Sequence, residues 1–475
     1  MKKGFFVIML LLIVSLRFVR SEDVRPQRSF YTISFEVSSS VTAYVMPDTA
    51  FSVLAEELSN AENFVEIVIY EFWSDSIFAL MNSTARRGVK IRILLEGDVY
   101  GTEGDTWNRY MLNKLYQLNK SGLPVWIRLE DAPGYLHMKI VIIDNSTVLI
   151  GSENFVPTAY PENPSRIKLQ PYSTASRGWG VAIRCEKIAR YFHEVFNSIF
   201  LDDTKSHDYN PDIDGVGSEP PTKGILDYDP SPIGILSSQN VPLAPVLSPE
   251  NSLDIILWII NQANYTIFIE QMYILSDDEP VMEILNALYQ AVRRGVTVQI
   301  IVEDNYPGNY YEIYQDLQKH GIHVVRAFSK NPKLFMHNKA IIIDDMLVLI
   351  GSINWSGKAL TWNREAGILL KSREVAMYFH EVYSLDWNQS SEQLFDSDGD
   401  MLSDIYEKEH GYNPKDPDTD HDGINDWEEV FIHGNKYGEY KQKELSDVLI
   451  IVLIVLIIVA IVILIIMILQ HSKRR

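Results

Sequence analysis

Two kinds of apolar pattern alternate along the chain. Unbroken runs such as Ile140-Val141-Ile142-Ile143, Ile300-Ile301-Val302 and Ala340-Ile341-Ile342-Ile343 have the length of strands buried on both faces. Between such runs, Arg86-Arg87-Gly88 and Arg293-Arg294-Gly295 each read as the end of a helix. The glycine is able to take a left-handed cap, and a buried strand follows. Further on, Tyr191-Phe192-His193-Glu194-Val195 recurs as Tyr378-Phe379-His380-Glu381-Val382 on what read as closing helices. Matched landmarks in one order predict two similar α/β halves, residues 36–200 and 237–387. Residues 201–236 are rich in Asp, Pro and Gly without a sustained apolar period, and read as an acidic linker.

The ends carry apolar runs of another kind. Lys2 and Lys3 precede an apolar stretch from Gly4 to Leu16, as in an export signal. The following residues lack the small-residue pattern of a cleavage site, so residues 1–21 read as an export signal or an uncleaved anchor. From Val448 to Leu469 there are 22 residues without a charge. As a helix that stretch is long enough to cross about 30 Å of hydrocarbon. Lys473, Arg474 and Arg475 in the basic tail 470–475 then place the C-terminus in the cytoplasm. The expected topology is a single-pass protein of the cell membrane, attached through its C-terminal helix, with the main body extracellular.

Charge changes this picture in one region. The formal net charge is -21, which argues against broad, non-specific contact with phosphate polymers. Residues 390–447 alone hold 17 acidic and 5 basic residues. Within them, Asp396, Asp398, Asp400, Asp404 and Glu407 stand at positions 1, 3, 5, 9 and 12 of a candidate loop. Asp418, Asp420, Asp422, Asp426 and Glu429 repeat the spacing, and Gly423 supplies the turn position that Met401 fills in the first copy. Oxygen donors at these intervals suit calcium. Residues 396–430 are expected to form calcium-binding repeats in which the ion is structural, neutralising a self-repelling stalk. They resemble thrombospondin type 3-like repeats. The single cysteine, Cys185, excludes an intrachain disulfide and reads as a small buried hydrophobe.

The strongest chemical signal sits at equivalent places in the two halves. The first copy is His137-Met138-Lys139, four residues, Asp144, six residues, then Gly151-Ser152-Glu153-Asn154. The second is His337-Asn338-Lys339, four residues, Asp344, six residues, then Gly351-Ser352-Ile353-Asn354. Residues two apart on a strand share a face, so each histidine pairs with its lysine, and each serine with its asparagine. Asp144-Asn145 and Asp344-Asp345 are turn formers that also order nearby polar groups. Each half thus offers an imidazole, an ammonium, a hydroxyl and an amide from one hairpin. Brought together about a pseudo-two-fold axis, they make a cationic pocket matched to a phosphodiester.

This duplicated signature resembles the phospholipase D superfamily over residues 36–387. The implied fold class is α/β, two similar phospholipase D-like halves about a pseudo-two-fold axis, here followed by the acidic calcium-loop stalk and one transmembrane helix. The implied chemistry uses His137 as nucleophile, forming a phosphohistidine, and His337 as general acid and then base. Lys139, Lys339, Asn154 and Asn354, supported by Ser152 and Ser352, would hold the non-bridging oxygens, and no cofactor takes part in catalysis. Family members often add a glutamate downstream. Glu365 supplies it in the second half, whereas Gly178 stands at the matching place in the first, leaving one histidine without that partner unless a carboxylate such as Glu153 substitutes.

The leading function is cleavage or exchange of phospholipid headgroups by an extracellular catalytic domain. A tethered endonuclease acting on nucleic acid, a cardiolipin-synthase-like transferase and a catalytically impaired surface binding protein stand as alternatives. No obligate protein partner is implied.

Overall fold

The computed structural model describes residues 37–99, 102–275, 278–303 and 310–390, with scattered positions between 398 and 426. The first half runs β1 (Val37–Met46), α1 (Ala50–Asn60), β2 (Phe64–Ile69), α2 (Asp75–Arg86), β3 (Lys90–Glu96), α3 (Thr102–Lys120), β4 (Val125–Glu130), β5 (Ile140–Ile143), β6 (Thr147–Gly151), β7 (Arg166–Leu169), β8 (Ala175–Arg184) and α4 (Glu186–Phe200). Residues 201–236 contain β9 (Ser206–Asp208), which extends the sheet beside β4, α5 (Pro211–Asp214), and β10 (Gly224–Asp227), which forms a separate ribbon with β7. The second half repeats the order as β11 (Leu236–Ser248), α6 (Ser252–Gln262), β12 (Thr266–Gln271), α7 (Glu279–Arg293), β13 (Thr297–Val302), α8 (Tyr310–Lys319), β14 (His323–Arg326), β15 (Leu334–Met336), β16 (Lys339–Ile343), β17 (Leu347–Gly351), α9 (Gly357–Thr361), β18 (Glu365–Lys371) and α10 (Arg373–Asn388).

The strands of both halves join into one continuous sheet, in the order β14-β13-β12-β16-β17-β18-β11-β1-β8-β6-β5-β2-β3-β4-β9. Read outward from the antiparallel β11–β1 pair, the two directions are mirror lists of equivalent strands, which is the pseudo-two-fold arrangement expected from the repeats. Burial on both faces explains the unbroken apolar runs, since helices cover each side of such a sheet.

Each closing helix packs on the strands of its own half. In α4, Ile188, Phe192, Val195, Phe196 and Ile199 recur every three or four residues and are buried, an apolar stripe facing the sheet. Phe379 of α10 stacks on Trp179 of β8 at 4.7 Å between ring centroids, so the core is shared between halves. Burying one such aromatic stabilises the fold by about 1.5–3 kcal/mol.

One expectation of fold class is corrected. No helix among the described residues is long and apolar enough to cross a membrane. The longest, α3, is 19 residues but carries Glu103, Asp105, Arg109, Lys114 and Lys120, a charge load that hydrocarbon does not tolerate. The stretch 448–469 lies outside the described residues, as do 1–21 and 470–475. The architecture is therefore an α/β fold of two similar lobes. The transmembrane helix, the membrane as partner, and the single-pass placement with an extracellular body and cytoplasmic tail are not retained. The described positions between 398 and 426 belong to a second compact unit.

Candidate active site

Each histidine follows a short strand segment and begins the hairpin that carries its lysine. Asp144 and Asn145 have φ of 51°, and Asp344 and Asp345 have 52° and 49°, so both hairpins close through the left-handed turn that Asn and Asp tolerate. The aspartates do a second job at that end. Asp144 accepts backbone N–H groups from Glu62, Asn63 and Phe64 at 2.7–2.8 Å, and Asp344 accepts those of Asn264, Tyr265 and Thr266 at 2.8 Å. Neither aspartate is bonded to a histidine. They tie the turn to the loop entering β2 or β12, leaving the chemistry to the other end.

At that other end the halves exchange backbone. His137 N donates to Arg364 O at 2.9 Å, and His337 N donates to Arg177 O at 3.0 Å. β15 lies parallel to the start of β8, and Leu136 bridges Arg364 in the equivalent place. Each histidine is thereby docked on the closing strand of the opposite half. Two glutamates absent from the sequence reading hold these segments. Glu96 accepts Leu136 N at 2.6 Å and Glu303 accepts Met336 N at 2.8 Å. They end two matched strands, Arg92-Ile93-Leu94-Leu95-Glu96 and Gln299-Ile300-Ile301-Val302-Glu303, so the signal was a further repeat landmark.

The side chains complete the exchange. His137 Nδ1 donates to Glu365 Oε2 at 2.8 Å, and His337 Nδ1 donates to Glu153 Oε2 at 3.0 Å. A carboxylate partner fixes the proton on Nδ1 and leaves the Nε2 lone pair for chemistry. Glu365 is steadied by Ser352 Oγ, and Glu153 by Ser176 Oγ at 2.6 Å. Ser152 Oγ instead accepts Trp179 N at 3.2 Å. Lys139 Nζ donates to His137 O at 3.0 Å, and Lys339 Nζ to His337 O. Asn154 Nδ2 donates to Glu71 at 2.6 Å, and Asn354 is buried at 5% exposure.

Electrostatics tie the two sets into one centre. Burial pushes Lys139 down to about 8, against the charges of Glu365, Glu71 and Glu153. Lys339 is driven well below its ordinary value by burial, with Lys139 adding to the effect. Burial and the Lys339 charge lower His337 to about 4, opposed by Glu153, and burial likewise lowers His137. Desolvation raises Glu71 to about 7, against the Lys139 charge and the Asn154 hydrogen bond. Both lysines and both imidazoles are thus short of charge through burial, so an anionic phosphodiester entering beside them would favour their protonated forms.

In the second unit, carboxylate oxygens of Asp398, Asp400 and Glu407 lie within 4.8 Å of one another, close enough to share one metal ion. Asp418 and Asp426 are described but outside that group, and Asp426 accepts Thr419 N at 2.7 Å. Asp396, Asp404, Asp420, Asp422 and Glu429 lie outside the described residues.

The family "Cardiolipin synthase, PLD-like domain" matches residues 54–169 and 256–387, more than half of the chain and both hairpins. The chain belongs to this family. It is an enzyme of the phospholipase D and cardiolipin synthase superfamily, with that superfamily's general phosphodiesterase activity. A cardiolipin synthase of Clostridium perfringens is 22% identical over 365 residues, covering 73% of this chain and 70% of that protein. A mitochondrial cardiolipin hydrolase of Xenopus laevis is 28% identical over 120 residues, 25% of this chain, and the chain spans only 52% of it. The solved phosphatidylserine synthase of Haemophilus influenzae has the same fold, with a TM-score of 0.54 at 14% identity over 74% of this chain and 87% of that one.

Proposed function

We propose that the enzyme cleaves or exchanges phospholipid headgroups through a covalent phosphohistidine. The observation that carries this is the pair of imidazoles, each with Nδ1 held by a glutamate of the opposite half and each accompanied by a buried lysine. In the first step His137 Nε2 attacks phosphorus, the bond from phosphorus to the headgroup oxygen breaks, and His337 gives that oxygen a proton. In the second, His337 takes the proton of a water or an alcohol, whose oxygen attacks phosphorus as the bond to His137 breaks. Lys139, Lys339, Asn154 and Asn354 offset charge on the non-bridging oxygens. Because His337 is pulled down to about 4 before substrate arrives, the anionic phosphodiester itself has to raise it enough to serve as the acid. The headgroup assignment draws on the named activities of the cardiolipin and phosphatidylserine enzymes to which the chain is similar.

The test compares the purified full chain on phospholipid vesicles and on single-stranded DNA, with His137→Ala alongside. Headgroup release that disappears in the variant is the expected result. Turnover of DNA alone overturns the lipid assignment in favour of a nuclease.

We further infer that Asp398, Asp400 and Glu407 hold a structural calcium ion, because three clustered carboxylates supply the hard oxygen donors that calcium prefers. Calcium is expected to slow proteolysis between residues 396 and 430, and an unchanged cleavage rate in chelator would remove the ion from the account.

A further inference from the structure

Two matched pairs of contacts fix which residues of the two halves correspond around the histidines. His137 N bonds Arg364 O, and His337 N bonds Arg177 O. Arg177 pairs with Asp48, near the end of β1, and Arg364 pairs with Glu250, at the same distance past the end of β11. Gly178 is therefore the true counterpart of Glu365, and Glu153 is the counterpart of Ile353. The second half keeps its carboxylate on the closing strand and an isoleucine after the motif serine. The first half has the reverse.

Space explains why the two positions differ together between the halves. A Cβ on Gly178 would stand 2.6 Å from Glu153 Cγ and 2.9 Å from Glu153 Oε1, and would also collide with Ser152 Oγ. The Glu153 side chain occupies the volume that a glutamate at 178 would need. It reaches the same target, His337 Nδ1 at 3.0 Å, as Glu365 reaches on His137 at 2.8 Å. Its other oxygen accepts Ser176 Oγ at 2.6 Å, whereas Glu365 accepts Ser352 on the same oxygen that faces His137. Burial alone would raise this carboxyl. The His337 and Lys339 charges and these hydrogen bonds reverse that and hold it below its ordinary value, so it stays an acceptor.

We propose that Glu153 is the positioning residue for His337, a carboxylate relocated from the closing strand to the motif loop, with Gly178 as the vacancy that makes the relocation possible. This rests on the phosphodiesterase reading for its kinetic consequence, though the geometry does not. Glu153 touches neither substrate nor reacting atoms. It sets the tautomer and orientation of His337 and favours its protonated form, which the headgroup oxygen needs.

The experiment is an exchange of supports in the full chain. Glu153→Gln and Glu153→Ile should each lower kcat by about 10- to 10⁴-fold, between the losses seen for supports of metal-bound and of catalytic imidazoles, with KM little changed. Gly178→Glu alone should be at least as damaging, because two glutamates then compete for one volume. The double variant carrying Glu153→Ile and Gly178→Glu copies the second half and should recover most of the lost kcat, a coupling that independent sites do not show. The kcat limb on the alkaline side should move to lower pH in Glu153→Gln, since His337 there loses its proton more readily, and return in the double variant. A double variant no better than Glu153→Ile, or an unchanged kcat in Glu153→Gln, overturns the proposal.

A readout free of turnover separates this from failure of the phosphodiesterase reading. With 15N-labelled histidine, His337 should be an Nδ1–H tautomer in the wild type and lose that preference in Glu153→Gln. If the wild type turns over no phosphodiester yet the tautomer shifts, the positioning role stands and the assigned reaction falls. If the tautomer does not shift, the positioning role falls.

Discussion

In the first half, Glu153 follows the motif serine and Gly178 follows the arginine of the closing strand; in the second, Ile353 and Glu365 fill those places. Both arrangements end with a carboxylate oxygen about 3 Å from an imidazole Nδ1. What the two halves share is thus the location of an oxygen relative to a ring, and the sequence position supplying it is free to differ. A second contrast lies beside the lysines. Glu71 bonds Asn154 and its charge reaches Lys139, whereas its counterpart in the second half is Tyr273. The first half therefore holds its lysine in a more acidic setting than the second.

The histidines offer the sharpest way to break the comparison. Removing either ring should lower turnover by about 10²- to 10⁴-fold or more. The two losses should differ in kind. With a substrate whose leaving group needs no proton, His337→Ala should accumulate the substituted phosphoryl group, still bearing its second ester, on His137, detectable by intact-mass analysis. That adduct found instead on His337, in a His137→Ala enzyme, would reverse the two roles and with them the meaning of the asymmetry.

A smaller effect is expected from pH. Lys139 sits at about 8 in the free enzyme, so above that pH it loses the charge that meets an anionic phosphodiester. KM should rise through this range while kcat changes less. Glu71→Gln removes one of the three carboxylates that raise Lys139, the others being Glu365 and Glu153. Without it the rise in KM should begin at lower pH. A KM profile that Glu71→Gln leaves in place would mean that the acidic setting of the first half has no bearing on substrate binding.

The smallest effect on chemistry should come from the motif aspartates, where the halves agree. Asp144→Ala and Asp344→Ala each strip an acceptor from three backbone N–H groups. A cost of about 2–4 kcal/mol in unfolding free energy is expected for each. Activity per folded molecule should stay near that of the wild type. A large kcat loss in either variant, with stability intact, would return that aspartate to the chemistry.

These contrasts show which kinds of information the sequence carries openly. Hairpins, turns and repeated strands are local, and the runs around Ile140–Ile143 and Lys339–Ile343 announce them within a few residues. The turn at Asp144-Asn145 is likewise legible, because few residue types accept its left-handed backbone. The partners of the histidines are separated from them by 228 and 184 positions, and no periodicity reaches so far. Glu153 was a named candidate, but only packing against Gly178 showed why it fits. Glu96 and Glu303 were missed although they recur in register, because an acidic residue ending a strand reads as a solvated strand end. The apolar stretch near the C-terminus fitted a spanning helix by length and lack of charge, whereas the described helices give no such span.

The reciprocal docking of the histidine segments bears on synthesis of the chain. Arg364, which fixes the backbone of His137, and Glu365, which fixes its ring, emerge from the ribosome more than two hundred residues after the histidine itself. A truncated product ending before them carries a complete first motif with nothing to orient it. Full orientation of the first histidine is therefore expected only once the second half has been made and has folded against the first.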